Sequence, residues 1–130
     1  MTAELQYLTL SAVFAALMWI PYIVDLLARN PIKDAVGYPD TPLRMAPWAE
    51  RLKAAHYNSV ENLVVFGALV LVLHLTEAGS SATETAAATY FWARIVHTIS
   101  YTAAIPWVRT ISFLVAWAAM IVIGWAVLNG

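Results

Sequence analysis

Two groups of polar side chains interrupt otherwise apolar stretches of this sequence, and both have helical spacing. In the first, Arg51, Asn58 and Asn62 fall on nearly the same face of a helix, with Glu61 beside them. The second forms one stripe at i, i+4, i+7, i+8 and i+11, made of Tyr90, Arg94, His97, Thr98 and Tyr101. Within a membrane, such groups are costly and usually face a partner or a water-filled cavity.

The composition is that of a membrane protein. The chain has 130 residues, of which 62% are hydrophobic and 12% charged, whereas an ordinary soluble domain is about a quarter charged. A net charge of −1 gives no indication of a nucleic-acid partner. The absence of cysteine excludes disulfides and a protein thiol nucleophile, so any thiol must come with a substrate. The histidines lack metal-ligand spacing, and no metal site is predicted.

We predict an all-α membrane protein in which four transmembrane helices form an antiparallel bundle within a single domain, 1–130. The expected helices cover about 5–27, 48–75, 85–105 and 110–128. Pro21 lies inside the first helix, where a membrane segment tolerates it as a kink. Asp25, near the end of that helix, is expected at the headgroup level.

Charge predicts the orientation. Five of the seven Lys and Arg residues surround the connection 28–47, namely Arg29, Lys33, Arg44, Arg51 and Lys53. The positive-inside rule therefore predicts a cytoplasmic connection, with both termini outside. The turn 77–84, which is short and acidic, is expected on the opposite side.

The polar stripes permit two interpretations. Glu61 and Arg94 could neutralise each other inside the bundle, or the same groups could bind a ligand, because an arginine within an apolar segment needs an anion, a carbonyl or water. His97 is either a packing histidine or part of that ligand site. Arg109, after Pro106 and Trp107, suits either an anchor to anionic headgroups or a role in chemistry.

Two motifs carry a resemblance to a known family. The stretch Glu50–Asn62 with Phe66, and the stretch Ala93–Tyr101 followed by Ile105–Arg109, resemble the two signatures of the MAPEG family, the membrane-associated proteins in eicosanoid and glutathione metabolism. Length and layout agree over the whole chain. The chain is most similar to the microsomal glutathione transferase branch and its bacterial relatives, which implies a multi-pass protein of a bacterial inner membrane.

The resemblance implies a homotrimer that holds glutathione in clefts between subunits, near the cytoplasmic side. By motif position, the glutathione contacts would be His56, Asn58, Glu61, Asn62, Arg94, His97 and Tyr101. Arg109 matches the arginine that activates the glutathione thiol, and Tyr101 could donate a hydrogen bond to the same region. There are two departures: Ala54 stands where active members usually carry arginine, and the spacing from Tyr101 to Arg109 is about one residue shorter.

The residue types agree with such a ligand. Glutathione carries two carboxylates, an ammonium group and a thiol, and the two stripes with Arg51, Lys53 and Arg109 offer cations, an acid and amides. We therefore predict a glutathione-dependent transferase or peroxidase, which acts on lipophilic electrophiles or lipid hydroperoxides arriving from the membrane lipids. The alternative is a non-catalytic membrane protein of the same fold that binds a lipid or another anionic small molecule.

Overall fold

A computed structural model describes the whole chain, Met1–Gly130, and contains only helices and their connections. Helices account for 81% of the residues. The elements are α1 (Ala3–Leu17), α2 (Trp19–Arg29), α3 (Ile32–Ala35), α4 (Pro47–Leu75), α5 (Ser81–Thr102) and α6 (Pro106–Asn129).

The first predicted helix is divided at Met18 into α1 and α2. Pro21 explains the break, because it has no N–H to donate to the carbonyl of Leu17 and its ring crowds that carbonyl. The chain tightens there, and the Met18 N–H donates to the Ala15 carbonyl instead, at 3.4 Å. The kink expected at Pro21 is therefore found one turn earlier, where the missing hydrogen bond would have been.

Two other predicted boundaries are wrong, and local motifs explain both. The third helix was expected over 85–105, but Ser80 and Thr83 form a capping box that starts α5 at Ser81. The fourth was expected from 110, but Pro106 occupies the first turn of α6, where its fixed backbone angle is favourable. Arg109 consequently lies in the first turn of α6.

The helix α4 agrees with its predicted range to within one residue. It ends in a Schellman motif, in which the Ala78 N–H donates to the Leu73 carbonyl at 3.2 Å. The residue that turns the chain is Glu77, with φ 55°, at a position that glycine usually occupies. The same motif ends α5, where Ala104 has φ 60° and the Ile105 N–H donates to the Ser100 carbonyl.

The interior contains two apolar clusters. The larger one joins α4, α5 and α6 and includes Phe66 stacked on Tyr90, with ring centres 3.8 Å apart. The smaller one joins α2 to the start of α4 and includes Tyr22, Ala49 and Leu52. The polar residues of α4, from Asn58 to Asn62, lie between the ranges that contribute to the two clusters.

Three helical stretches are long and apolar enough to cross a membrane: Ala3–Arg29, which combines α1 and α2, Pro47–Leu75 and Pro106–Asn129. The remaining long helix, α5, is not among them. It carries most of the buried polar side chains, including Thr83, Arg94, His97 and Thr98. Large apolar side chains such as Val64, Trp117 and Trp125 are exposed on the outer surface, as expected where lipid or another subunit covers a helix.

Candidate functional site

Arg94 is the centre of the buried polar group. It lies on α5 with 3% of its surface exposed. Its Nη2 atom donates to Asn58 Oδ1 at 2.8 Å and to Ser59 Oγ at 2.9 Å, both on α4. Its Nε and Nη1 atoms are buried without any hydrogen-bond partner. Unpaired donors on a buried cation are costly, so these two nitrogen atoms are suited to anionic or carbonyl partners.

The amide side chains of α4 continue the network. Asn62 Nδ2 donates to the backbone carbonyl of Asn58 at 2.8 Å and lies 3.4 Å from Asn58 Oδ1. Glu61, by contrast, is exposed on the outer face of the helix. The chain contains a single ion pair, Arg29 with Asp25 at 2.8 Å. The interpretation in which Glu61 neutralises Arg94 within one bundle is therefore wrong, because Arg94 contacts the face of α4 that carries Asn58 and Ser59, whereas Glu61 is exposed.

A second group of predicted residues follows along α5 and reaches α6. The His97 and Tyr101 rings meet edge to face, with centres 5.6 Å apart. The Arg109 guanidinium carbon lies 4.8 Å from the centre of the Tyr101 ring, in a cation–π contact. His97 Nδ1 and Thr98 Oγ1 are buried without hydrogen-bond partners. His97, Tyr101 and Arg109 are thus in successive contact, and His97 and Thr98 of the predicted stripe retain polar atoms without partners.

Two other predicted residues contact different helices. Arg51 Nε donates to the carbonyl of Thr102 at 2.9 Å and so ties the start of α4 to the end of α5. His56 Nδ1 lies 2.7 Å from the Tyr22 hydroxyl, a hydrogen bond to α2. Arg51 therefore lies beside the Tyr101 end of the series, whereas His56 is engaged on the opposite side of α4.

The position of Ala54 is half-buried on the face that also carries Asn58, one turn away. The neighbouring Lys53 does not replace an arginine there, since its ammonium group lies over the Tyr57 ring, 5.7 Å from the centre. The site consequently lacks the cation that an arginine at position 54 would supply.

Sequence reasoning did not identify Ser59 or Thr102. Ser59 is 6% exposed and shares Arg94 with Asn58, and only its place within the polar part of α4 could have indicated it. Thr102 contributes a backbone carbonyl, which no side-chain pattern reveals. The cavity that Arg94 lines, together with Ser11, Ser59 and Tyr90 among others, has a volume of about 10 Å³. This is room for about one water molecule, so a larger ligand must approach from the outer faces of the helices.

A helical chain with apolar spans and a buried arginine network is an integral membrane protein with a polar interior site. The sequence matches the model of the MAPEG family over residues 8–129, nearly the whole chain. The protein belongs to the MAPEG family. A comparison with curated proteins finds no match.

Proposed function

We propose that the protein is a glutathione-dependent membrane transferase or peroxidase that acts on lipophilic electrophiles or lipid hydroperoxides. The observation that carries the proposal is Arg94, which is buried with Nε and Nη1 unpaired. A glutathione carboxylate would accept a charge-assisted hydrogen bond from one of these donors, and another acceptor of the ligand would bind the other donor. Asn58 and Asn62 would bind the peptide groups, and Glu61 would bind the ammonium group.

The proposed assembly is a homotrimer of subunits that each span the membrane four times. Glu61 is exposed, although it belongs to a helix long and apolar enough to cross the membrane. A carboxylate is costly against lipid, so another subunit with a bound ligand is the expected neighbour. The small volume beside Arg94 supports the same conclusion, because one chain alone has no room there for a tripeptide. Membership of the family supports the number three.

Arg109 would activate the thiol. A free thiol with a pKa of about 8.5 is mostly protonated at neutral pH, and only the thiolate is nucleophilic. A guanidinium within about 4–6 Å of the sulfur lowers the thiol pKa by about 1–3 units. Arg109 is held over the Tyr101 ring, so the two residues act at the same point. Tyr101 would donate a hydrogen bond to the sulfur.

The reaction would follow from this thiolate. In the transferase reaction, the sulfur attacks an electrophilic carbon, a C–S bond forms and the leaving group departs with the electron pair. In the peroxidase reaction, the thiolate attacks the terminal oxygen of a hydroperoxide, so that an S–O bond forms as the O–O bond breaks, and the released alkoxide takes up a proton to become the alcohol. A second glutathione then reduces the sulfenate, giving the disulfide and water. Apolar substrates would arrive laterally from the bilayer.

The proposed orientation places the connection 28–47 in the cytoplasm and both termini outside, in a bacterial inner membrane. The clustering of basic residues at one end supports it. Cysteine introduced at position 81 should react with an impermeant thiol reagent in intact cells, whereas cysteine at position 35 should react only after lysis. The native chain has no cysteine to interfere. Labelling of position 35 alone in intact cells would reverse the orientation.

The decisive experiment is glutathione binding to the purified protein, followed by conjugation of a generic aryl halide. Saturable binding and enzyme-dependent thioether formation, in particles with the mass of a trimer, are expected. A second candidate function, binding of a lipid or another anionic molecule without catalysis, is favoured by the missing cation at Ala54. Absence of glutathione binding, combined with retention of an anionic lipid that depends on Arg94, would support that function instead.

A further inference from the structure

We propose that the end of the molecule opposite the basic connection contains a second binding site, specific for a small primary ammonium group, with Glu4 as the buried counter-ion. This end, called the acidic end here, carries Glu4, Glu77 and Glu84 and no Lys or Arg. It comprises the start of α1, the end of α4 and the start of α5. The hydrogen bond from Thr83 to Glu4 joins α5 to α1.

The site is a cavity of about 330 Å³. This volume is near the lower limit for small-molecule sites, so the cavity suits a small ligand. Val70 and Leu73 provide its apolar part and are both almost fully buried. The polar part consists of Thr2, Glu4, His74 and Glu77, with Gly79 completing the lining. His74 is the only lining side chain that can carry a positive charge.

Glu4 is the group that indicates a ligand. It is 4% exposed, yet no cation lies within ion-pair distance of it, since the single ion pair of the chain is Asp25 with Arg29. Thr83 Oγ1 donates to Glu4 Oε1 at 2.7 Å, and Thr2 and His74 lie near the same carboxylate. The second carboxyl oxygen, Oε2, is not among the fully buried atoms that lack a partner, so it is accessible from the cavity that Glu4 lines. A buried carboxylate without a cation is costly, so the cavity beside it is suited to a positively charged ligand.

Thr83 alone cannot satisfy this carboxylate. Its hydroxyl has one hydrogen, but it lies within hydrogen-bond distance of two acceptors, Glu4 Oε1 and the Ser80 carbonyl at 2.8 Å. Its lone pairs already accept the Ser80 N–H in the capping box. A ligand that brings its own N–H donors would relieve this shortage, which favours a primary ammonium over a quaternary one.

Glu77 provides the second carboxylate of the site. It occupies the left-handed position that ends α4, where glycine is the usual residue. The glutamate side chain lines the cavity from this turn. Two carboxylates around one cavity attract a cation, and three N–H donors of a primary ammonium can be divided between them.

An ammonium ligand could come from solution or from the ethanolamine headgroup of a phospholipid, because the cavity lies at one end of the bundle. The experiment uses purified wild-type protein in nanodiscs and measures Tm by tryptophan fluorescence. The first arm adds free ethanolamine to phosphatidylcholine nanodiscs. The second arm replaces part of the phosphatidylcholine by phosphatidylethanolamine. A rise in Tm of at least about 3 °C in either arm is expected, and the arm that responds identifies the source.

The controls test the charge and the place. Ethylene glycol, which has the size of ethanolamine without its charge, should give no rise. Glu4→Gln keeps the acceptor for Thr83 and should lose the response, while Glu77→Gln should reduce it. Glu84→Gln changes an acid at the same end that does not line the cavity, and should respond like the wild type. If Glu4→Gln does not fold, the comparison of ethanolamine with ethylene glycol and the Glu77→Gln variant still test the proposal.

Three results would overturn the proposal. The first is the absence of any rise in both arms. The second is an equal rise with ethylene glycol or in the Glu4→Gln protein. The third is a Glu4-dependent rise with magnesium or calcium and none with ethanolamine, which would identify an inorganic cation as the ligand.

Discussion

Arg94 and Glu4 are buried to nearly the same degree, with 3% and 4% of their surfaces exposed, and neither forms an ion pair. Each is hydrogen-bonded to a neighbouring helix. Arg94 also has two buried donors without partners, Nε and Nη1. Their surroundings differ. Glu4 lines a cavity of about 330 Å³, whereas the cavity beside Arg94 has about 10 Å³.

This difference indicates how many chains each site needs. The acidic end has a cavity large enough for a small ligand within one chain, so the proposed ammonium site is complete in a monomer. The cavity beside Arg94 is too small for glutathione, so the proposed glutathione site extends into a cleft with a neighbouring subunit. Binding of an ammonium ligand at the acidic end should therefore survive dissociation of the assembly, whereas binding of glutathione beside Arg94 should not.

The largest expected effect is the loss of one ligand without the other when Arg94 or Glu4 is replaced. Arg94→Leu should weaken glutathione binding about 30-fold or more, because removing one partner of a buried charged pair costs about 2–5 kcal/mol. The same variant should keep the wild-type response to ethanolamine. Glu4→Gln should show the reverse. Calorimetric titration of glutathione and the Tm response to ethanolamine measure the two properties in the same preparation.

The control for this pair is Arg94→Lys, which retains the charge but not the fork of donors, and should give an intermediate affinity for glutathione. Each variant must have the mass of the wild-type assembly. The comparison fails if one mutation weakens the binding of both ligands equally, since that result would indicate a general loss of structure.

The next effect concerns the thiol. Arg109→Leu should decrease the thiolate fraction of bound glutathione about tenfold or more at pH 7, because a nearby guanidinium lowers the thiol pKa by about 1–3 units. Ultraviolet absorbance of the thiolate and the rate of conjugation should fall together. Arg109→Lys separates positioning from charge, because lysine keeps the positive charge but not the planar guanidinium. If the guanidinium must be positioned against the sulfur, the Arg109→Lys protein should also have a lower conjugation rate. Wild-type signals in both variants would remove thiolate activation from Arg109.

A smaller gain in affinity is expected from Ala54→Arg. The new guanidinium would lie one turn from Asn58 and supply the missing cation. A hydrogen bond to a charged group contributes about 1.5–3 kcal/mol, and the half-buried position favours the lower value, close to tenfold tighter binding. Calorimetric titration measures this gain, and Ala54→Gln is the uncharged control. Unchanged affinity in Ala54→Arg would show that this face of α4 does not contact the ligand.

The smallest effect compares two helix ends. Glu77 and Ala104 both adopt left-handed conformations that glycine adopts without strain. Glu77→Gly and Ala104→Gly should each stabilise the protein by up to about 1 kcal/mol, seen as a rise in Tm. Only Glu77→Gly should weaken the response to ethanolamine. An unchanged response in Glu77→Gly would remove Glu77 from the ammonium site.

Much of the fold could be predicted from the sequence because apolar length and helical spacing are local properties. The range of α4 and the Tyr90–Tyr101 stripe on α5 were predicted in this way, and the MAPEG resemblance is confirmed. The errors arose where one residue changes the backbone, as at Pro106, or where a capping box extends a helix, as at Ser80.

The partners of the polar residues were less accessible to sequence reasoning. The sequence shows that Glu61 and Arg94 lie on consecutive long helices. It does not show how α4 is rotated about its axis, and this rotation decides which side chain contacts the arginine. The structure places Asn58 and Ser59 there and leaves Glu61 exposed. The cavity beside Glu4 was missed because its residues come from the start of α1 and the end of α4, about 70 positions apart.

The most direct test of the central claim compares glutathione with its diethyl ester, in which both carboxylates are neutral. If the unpaired donors of Arg94 hold a glutathione carboxylate, the wild-type protein should bind glutathione about tenfold or more tightly than the ester. In Arg94→Leu of the same assembly state, this preference should disappear. Equal affinity of the wild type for both compounds, or a preference that survives in Arg94→Leu, would contradict the proposed role of Arg94.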